Sequence, residues 1–338
     1  MAKRATLADV AALAGMSPTA VSLVLNERPG SRLSSDAVQR IKDAAAELHY
    51  RPNPAARSLR LGKTQAVGFL SDNVSVTRYA SAMIRGLLDE ADARNHTLLI
   101  TETGRSASRL SAALDTMLDR SPDGLVFGLE RAREVDLPPL PPGVPVVIVN
   151  GTSGEFASVL PDESTSGYEV TRFLTDAGHR RIGLIGFDEG LNSDPRKSAT
   201  LGARYAGIRR ALAEAGAEVV AQYDASEWEP DVGYEAVRRF LRMGAPFTGL
   251  VCLNDRLAFG AYQALAAYGR RIPDDVSVVS FDNEQITPYL RPGLTTVEIP
   301  YLEMGRRAME LVLGAEAPAG RHLIGMPLRE RGSVRPIS

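Results

Sequence analysis

The feature that most constrains the fold of this chain is a regular alternation of short apolar runs with longer amphipathic stretches. The apolar runs fall into two sets of four, at 66–70, 98–101, 125–128 and 146–149, then at 182–185, 219–222, 250–253 and 276–280. Between these runs lie stretches whose apolar residues recur at helical spacing, at 78–93, 109–120, 166–177, 202–215, 233–242 and 256–268. Strands and helices that alternate in this way form parallel sheets covered by helices. The pattern therefore predicts two similar α/β lobes in tandem, with a cleft between them.

Polar side chains that suit a small ligand follow several of these runs. Ligands bind outside the carboxyl ends of parallel strands and in clefts between domains, and the candidates there are Asp72, Tyr79, Arg204, Trp228, Asn254 and Asp282. Asp, Asn and Arg can hydrogen-bond the hydroxyls of a sugar, while a Trp face can stack on a sugar ring or a base. Structural explanations compete: Arg204 as a solvated ion pair, Asn254-Asp255 as a helix cap, and Asp282-Asn283 as a turn.

The net charge of −2 hides a strong asymmetry along the chain. Residues 1–63 contain ten Lys and Arg against five Asp and Glu, a balance of +5, whereas the remainder balances to −7. A small basic head on a larger acidic body is typical of a protein whose head binds nucleic acid. Charge alone does not distinguish a nucleic-acid-binding head from a segment that is basic by chance. The predicted local structure of residues 1–63 has to distinguish them.

Helix signals in the head predict three short helices. Thr6 followed by Asp9 resembles a capping box and Gly15 is a stop, so the first helix lies between them. Ser17 is a second cap followed by Pro18, and the third helix begins at Ser34 and ends before the Arg51-Pro52 pair. Three helices with a tight first turn fit a helix-turn-helix domain, whose second helix can lie in the major groove of DNA.

The run TLADVAALAGMSPTAVSLVLN (6–26) resembles the amino-terminal motif of the lactose/galactose-repressor family of bacterial transcription regulators, and YRPNPAARSL (50–59) resembles that family's hinge segment. The resemblance extends over nearly the whole chain, with motif, hinge and body in the family's order. It implies a fold made of an all-α helix-turn-helix domain and a two-lobed α/β body similar to periplasmic sugar-binding proteins, which senses a small-molecule effector.

The resemblance also implies how the head would contact DNA. Base edges would face the residues Pro18, Thr19 and Leu23 of a recognition helix that begins at Ser17, and phosphates would face Thr6, Ser22 and Asn26. Many relatives carry Arg at the position of Leu23, where Arg could pair with guanine; Leu can only make an apolar contact, for example with a thymine methyl group. The alternative is that Leu23 packs against the first helix.

In the hinge, Asn53, Ala56 and Leu59 match the family together. Segment 54–60 is too short to be a stable isolated helix and should fold only on DNA or against a partner copy. The resemblance implies a hinge helix in the minor groove, with Leu59 as the apolar wedge at a central base step and Ala56 allowing paired helices to approach closely. The alternative is a flexible linker.

Enzymes, receptors and membrane proteins fit the sequence less well. The four histidines lie far apart, there is no Gly-x-Ser-x-Gly motif, and the only cysteine, Cys252, lies in an apolar run. No run reaches the roughly 18 apolar residues of a membrane span, and we expect no secretory signal, no metal and no cofactor. A transport receptor would be expected to have that signal and to lack the capped basic helices.

We therefore expect a cytoplasmic, homodimeric, DNA-binding repressor that is not an enzyme and that binds double-stranded operator DNA under the control of a sugar-like effector. The expected boundaries are 1–52 for the DNA-binding domain, 53–62 for the hinge and 63–338 for the body. Within the body, the first lobe would take about 63–163 plus 294–322, and the second about 164–293 plus 323–338. The segment 295–297 and the helix 301–313 resemble the part of the family that crosses back into the first lobe and helps form the dimer.

Overall fold

The computed structural model describes residues 5–25, 33–50, 62–77, 81–154, 156–314 and 318–337. It divides into two compact units, a head up to Gln65 and a body from Ala66. No single helix in these ranges is long and apolar enough to cross a membrane, although two helices of the head, Leu7–Ala14 and Pro18–Leu25, bent by 105°, pass that test as a pair.

The head contains three helices, α1 (Leu7–Ala14), α2 (Pro18–Leu25) and α3 (Ser35–Glu47). Thr6 and Asp9 form the predicted capping box, with the Asp9 amide 3.3 Å from Thr6 Oγ1. Gly15 ends α1 in the left-handed conformation, with φ of 64°, which glycine adopts without strain. The helices enclose a small core centred on the fully buried residues Val10, Val21 and Ile41.

The first lobe of the body is built on a six-stranded sheet. Its strands are β1 (Ala66–Asp72), β2 (Thr97–Glu102), β3 (Gly124–Glu134), β4 (Val146–Thr152), β5 (Ala157–Pro161) and β11 (Gly320–Ile324). They run parallel in the order β11-β5-β4-β3-β1-β2. Helices α4 (Ser81–Ala93) and α5 (Ala107–Leu118) follow β1 and β2.

The second lobe repeats this topology. Its strands are β6 (Arg181–Phe187), β7 (Glu218–Asp224), β8 (Gly249–Cys252), β9 (Ser277–Asp282), β10 (Thr295–Glu298) and β12 (Leu328–Arg329), in the order β12-β10-β9-β8-β6-β7. Only β12 is antiparallel to its neighbour. Its helices are α6 (Glu163–Asp176), α7 (Glu189–Ser193), α8 (Leu201–Ala215), α9 (Pro230–Arg242) and α10 (Asp255–Ala267).

One boundary expected from the sequence is wrong. The strand β10 was assigned to the first lobe, but it pairs with β9 in the second sheet, with Thr296 opposite Ser280. The chain enters the first lobe only after Glu298, with α11 (Tyr301–Val312), which packs so closely on α4 that a Cβ on Gly86 would lie 2.0 Å from the Leu302 carbonyl oxygen. The first lobe also extends past 322, because β11 ends at Ile324.

Candidate functional site

A cavity of about 560 Å³ lies between the two lobes, at the carboxyl ends of both sheets. The first lobe contributes residues from the ends of β3, β4 and β5, and the second lobe contributes the start of α8 and the loops after β7, β8 and β9. Its wall includes four of the six predicted effector-binding residues, Arg204, Trp228, Asn254 and Asp282. This is the cleft that the tandem strand pattern predicts.

Arg204 is buried on α8 and held in a fixed orientation. Its Nε and Nη2 donate to the two carboxylate oxygens of Glu163 at 2.6 and 2.7 Å, Nη1 donates to the Leu253 carbonyl oxygen at 2.6 Å, and the guanidinium lies 4.2 Å from the centre of the Phe281 ring. Burial alone would lower the pKa of Arg204, but its attraction to Glu163 outweighs that effect and raises the pKa above the usual value. Nη1 and Nη2 each carry a second N–H that these bonds do not use.

Asp282 lies at the end of β9 in a strained backbone conformation, with φ of 106° for Asp282 and 53° for Asn283. Its half-buried carboxyl group makes no hydrogen bond that the described residues provide, and it faces the cavity that it lines. Burial raises the pKa of Asp282 to about 8; Arg204 opposes that shift and the Asp255 carboxylate adds to it. A strained carboxyl group beside a buried guanidinium is suited to receive hydrogen bonds from a ligand.

Asp255 fixes the turn that carries Asp282. It is fully buried, and its carboxylate accepts hydrogen bonds from the Glu284 amide at 2.6 Å, from Thr296 Oγ1 at 2.7 Å and from the Ser280 hydroxyl. Burial raises the pKa of Asp255 to about 7, against these three hydrogen bonds. The helix-cap explanation for the Asn254-Asp255 pair therefore does not account for Asp255, which accepts hydrogen bonds from Ser280, Glu284 and Thr296.

Trp228 and Asn254 form one unit beside the cavity. Trp228 Nε1 donates to the Ala225 carbonyl oxygen at 3.1 Å, and Asn254 Nδ2 donates to the Trp228 carbonyl oxygen at 3.1 Å. Asn254 Oδ1 also caps α10 by accepting from the Leu257 amide at 2.8 Å. The capping alternative for Asn254 is therefore observed, and its side chain mainly holds the Trp228 loop and α10 in place.

Asp72 does not belong to this group. Its carboxylate accepts from the Glu130 amide at 2.7 Å and from Arg133, and it is not among the described residues that line the cavity. Burial raises the pKa of Asp72, partly offset by the Glu130 amide and Arg133. The effector-binding role expected of Asp72 is thus not supported, because its hydrogen bonds are used within the first lobe. Tyr79 lies outside the described residues.

A strap joins the lobes along one side of the cavity. Strand β3 continues after a bulge to Glu134, and its end exchanges two backbone hydrogen bonds with the segment before α8. The Ala199 amide donates to the Ala132 carbonyl oxygen at 2.9 Å, and the Glu134 amide donates to the Pro195 carbonyl oxygen at 2.8 Å. This strap was not foreseen, because neither segment carries a recognisable motif.

In the head, the predicted DNA-contacting residues lie around α2. Thr6 and Ser17 cap α1 and α2, with the Ala20 amide 3.2 Å from Ser17 Oγ. Pro18 and Thr19 are exposed, while Ser22 and Leu23 are half-buried. Leu23 is not among the described hydrophobic residues that pack on the head core, which argues against the packing alternative. Four further predicted residues lie outside the described ranges, namely Asn26, Asn53, Ala56 and Leu59.

Comparisons with known proteins agree with both units. Residues 6–53 match the family "Bacterial regulatory proteins, lacI family", and residues 171–334 match a "Periplasmic binding protein-like domain". The ribose operon repressor of Haemophilus influenzae is 32% identical over 314 residues, which cover 91% of each protein. The chain belongs to the lacI family of bacterial regulatory proteins.

Other relatives of this lacI-family regulator include the transcriptional repressor PurR of Mannheimia succiniciproducens, which is 30% identical with 91% of each chain covered. A Lac repressor dimer bound to operator and the anti-inducer ONPF has the same fold, with a TM-score of 0.76, 22% identity and coverage of 98% of this chain and 100% of that one. The chain is thus a DNA-binding transcriptional regulator with a body of the type that senses small molecules.

The lacI-family regulator also shows residues that the sequence analysis missed. Glu163 is the partner of Arg204, and Arg256 binds both Glu229 and Glu284 at the cavity wall, with Nη1 to Glu229 Oε1 at 2.8 Å and Nε to Glu284 Oε1 at 3.1 Å. Glu163 follows β5, which was not predicted as a strand, so the rule of searching strand ends did not reach it. A search for acidic residues between the two strand sets would have included it.

The described part of the regulator contains no group of three or more His, Cys, Asp or Glu residues arranged to hold a metal ion. His179 is buried, and its two ring nitrogens contact Thr248 Oγ1 and the Arg335 carbonyl oxygen, both at 3.1 Å. Cys252 is fully buried, and burial raises the pKa of its thiol well above the usual value. A thiol in that state is a packing group and a poor nucleophile.

Proposed function

We propose that this regulator binds a neutral, hydroxyl-rich small molecule, such as a sugar, in the cavity between its lobes, and that this ligand changes its affinity for operator DNA. The observation that carries the proposal is the free carboxyl group of Asp282, held in a strained turn beside the buried Arg204. A carboxylate and a guanidinium side by side can accept from and donate to the hydroxyls of one sugar.

The cavity as a whole supports this class of ligand. Its volume of about 560 Å³ lies within the range of small-molecule sites, roughly 300 to 1,000 Å³. Trp228 lines the wall and offers an aromatic face for the C–H side of a sugar ring. Asn254 would act indirectly, by holding the Trp228 loop. The similarity to ribose operon repressors makes ribose the first ligand to test.

The control of DNA binding would work through the connections between the lobes. Three connections join the lobes: one from β5 to α6, one from β10 to α11 and one from β11 to β12. A ligand that contacts both lobes favours one angle between them. In a dimer, that angle would set the spacing of the two hinges, and the coupling must be reciprocal, so DNA must change ligand affinity by the same factor.

The hinge would bind the minor groove through Asn53, Ala56 and Leu59, with Leu59 as the wedge. In the head, Pro18, Thr19 and Leu23 would face the bases. Thr6, Ser22 and Asn26 would lie near phosphates, and Ser17 would start the recognition helix. A Leu59→Ala change should weaken specific binding more than nonspecific binding, and equal losses in a competition assay would remove the wedge assignment.

We further propose that the regulator is a homodimer in the cytoplasm, without enzymatic activity. A Lac repressor with this fold is a dimer on its operator, and a two-fold symmetric protein suits a palindromic operator. Light scattering of the full chain should give a mass near twice 36.3 kDa. A monomer at working concentrations would contradict the dimer.

The ligand proposal is tested by the fluorescence of the single tryptophan, Trp228. Titration of the full chain with D-ribose, then with a panel of pentoses, hexoses and purine bases, should give a saturable change for at least one compound. Calorimetry should then show that Asp282→Asn binds that compound about 10- to 100-fold more weakly. If Asp282→Asn binds it as tightly as the wild type, the ligand lies elsewhere and the proposed site is wrong.

A further inference from the structure

The recognition helix α2 differs from most base-reading helices in its chemistry. Its described residues, PTAVSLVL (Pro18–Leu25), include no charged residue and no amide side chain. The side chains that make bidentate hydrogen bonds to bases in the major groove are Arg, Lys, Asn and Gln. Helix α2 therefore has none of the groups that select guanine or adenine by paired hydrogen bonds.

The packing of the head shows which side chains of α2 are available. Val21 and Val24 are buried in the core, so the opposite face is formed by Thr19, Ser22 and Leu23, with the exposed Pro18 at the start of the helix. Thr19 is exposed, and Leu23 is half-buried without packing on the described hydrophobic core. The outward face therefore presents a leucine and two hydroxyl-bearing residues, Thr19 and Ser22, of which Thr19 also carries a methyl group. Hydroxyl groups can bond to any base and do not select one.

The apolar groups of this face, the Leu23 side chain and the Thr19 methyl, have one complementary group in the major groove, the 5-methyl group of thymine. We propose that α2 selects its operator chiefly through thymine methyl groups, with Leu23 as the main contact. The proposal rests on the assignment of the chain as a DNA-binding regulator and deepens it by naming what its recognition helix reads.

The distribution of charge in the head supports a separation between the helix that selects bases and the side chains that attract phosphates. The described basic side chains of the head's helices are Arg40 and Lys42, and both lie on α3. Cations away from the reading helix can attract phosphates but carry no sequence information. Affinity would then come largely from charge, and the choice of sequence from methyl contacts on α2.

The size of the effect follows from the burial of one methyl group. Burying a methylene-sized apolar group is worth a factor of about four in affinity, and two symmetric half-sites would give a factor of about 15. These factors are smaller than those of an Arg–guanine pair, so the operator should tolerate single changes at most positions but should lose affinity when a contacted thymine loses its methyl group.

The test begins with selection of preferred duplexes from a random library by the full chain, at one fixed salt concentration. Each thymine of the selected duplex is then replaced singly by deoxyuridine, which removes only the 5-methyl group. We expect one or two positions in each half-site to lose about fourfold in affinity, and the symmetric double replacement to lose about 15-fold.

Two leucine variants assign the effect to α2. Leu23→Ala should lower affinity for the thymine duplex and remove the difference between thymine and uracil at the contacted position. Leu13→Ala is the matched control, because Leu13 is 48% exposed on α1 and should leave both affinities unchanged. Circular dichroism verifies that both variants fold.

The outcomes separate this inference from the regulator assignment. A selected duplex whose affinity never responds to deoxyuridine, or a Leu23→Ala protein that still distinguishes thymine from uracil, would overturn the methyl proposal alone. Failure to select any preferred duplex, with or without the sugar panel, would overturn the methyl proposal together with the assignment as a sequence-specific regulator.

Discussion

The two lobes of the body share one strand order, yet they use their strand ends differently. In the first lobe, Asp72 ends β1 and its carboxylate accepts hydrogen bonds from the Glu130 amide and from Arg133. In the second lobe, Asp282 ends β9 and leaves its carboxyl group facing the cavity, while the neighbouring Asp255 makes the internal hydrogen bonds. Each aspartate ends a strand, although β1 and β9 hold different places in their sheets. The carboxyl group is used within the lobe at Asp72 and is available to a ligand at Asp282.

This difference indicates that the second lobe is the preformed half of the binding site. Arg204, Trp228 and Asn254 are each fixed by hydrogen bonds within that lobe before any ligand arrives. A site whose side chains are already oriented loses little conformational entropy on binding. The first lobe would then act mainly by closing over the ligand.

The largest effect should come from the buried ion pair that holds Arg204. Glu163→Gln leaves the buried guanidinium without a compensating charge, which typically costs about 3 to 5 kcal/mol. The free energy of unfolding, measured with urea, should fall by that amount. Glu214→Gln is the matched control, since Glu214 is exposed and its ion pair with Arg210 spans 4.0 Å. Similar losses of unfolding free energy in both variants would show that the buried Arg204–Glu163 pair stabilises the protein no more than an exposed ion pair does.

The comparison of the two aspartates gives the second prediction. Asp282→Asn removes a charged acceptor that faces the ligand, so ligand affinity should fall by about 10- to 100-fold. The stability of the protein should change little, because that carboxyl group makes no hydrogen bond to the described residues.

Asp72→Asn is the counterpart in the first lobe. It should weaken the ion pair with Arg133 and lower the unfolding free energy, but ligand affinity should stay within about twofold, because Asp72 is not among the described residues that line the cavity. Calorimetry and urea unfolding of both variants measure the two quantities. If Asp72→Asn lost ligand affinity and Asp282→Asn lost stability instead, the roles assigned to the two lobes would be reversed.

The pH dependence of ligand binding is the third prediction. The pKa of Asp282 is raised to about 8 without ligand, and ligand hydroxyls that donate to the carboxylate favour its ionised form. Binding then releases a proton, so affinity should rise with pH between about 6 and 8 and level off above that. Asp282→Asn should flatten most of the profile. A wild-type affinity that falls over this interval would mean that the protonated carboxyl group binds the ligand.

The smallest effect is expected at the strap between the lobes. Arg196 forms an exposed ion pair with Asp136, at 2.7 Å, next to the two backbone hydrogen bonds that make up the strap. Exposed pairs contribute little, so Arg196→Ala should leave both unfolding free energy and ligand affinity nearly unchanged. A large loss of ligand affinity would show that the first lobe does more than close over the site.

The sequence was most informative where local rules decide the structure. Caps such as Thr6 and Ser34 placed the helices of the head to within a residue or two, and the tandem apolar runs predicted eight of the strands. Strands β11 and β12 were missed because they are edge strands formed by chain that returns from the other lobe. Strand β5 lies buried between β4 and β11, and it was missed because its run, ASVLP, is short and interrupted by a serine. The assignment of β10 failed for the same reason: its lobe depends on a pairing partner that local pattern cannot specify.

The site shows the same limit. Strand ends in the second lobe pointed correctly to Asp282 and Arg204 as residues of the cavity wall. Nothing in the sequence revealed that Asp72 is satisfied by Arg133, or that Glu163 pairs with Arg204 across 41 positions. These facts depend on which segments meet in space.

A ligand bound in the cavity is proposed to control the affinity of the head for operator DNA. The most direct test measures the dissociation constant of the full chain for its selected operator, with and without a saturating cavity ligand, in the wild type and in Asp282→Asn. We expect the ligand to change the wild-type constant by a factor of about 5 to 150 and to leave that of Asp282→Asn unchanged. A wild-type constant that does not respond, or an equal response in both proteins, would contradict the account.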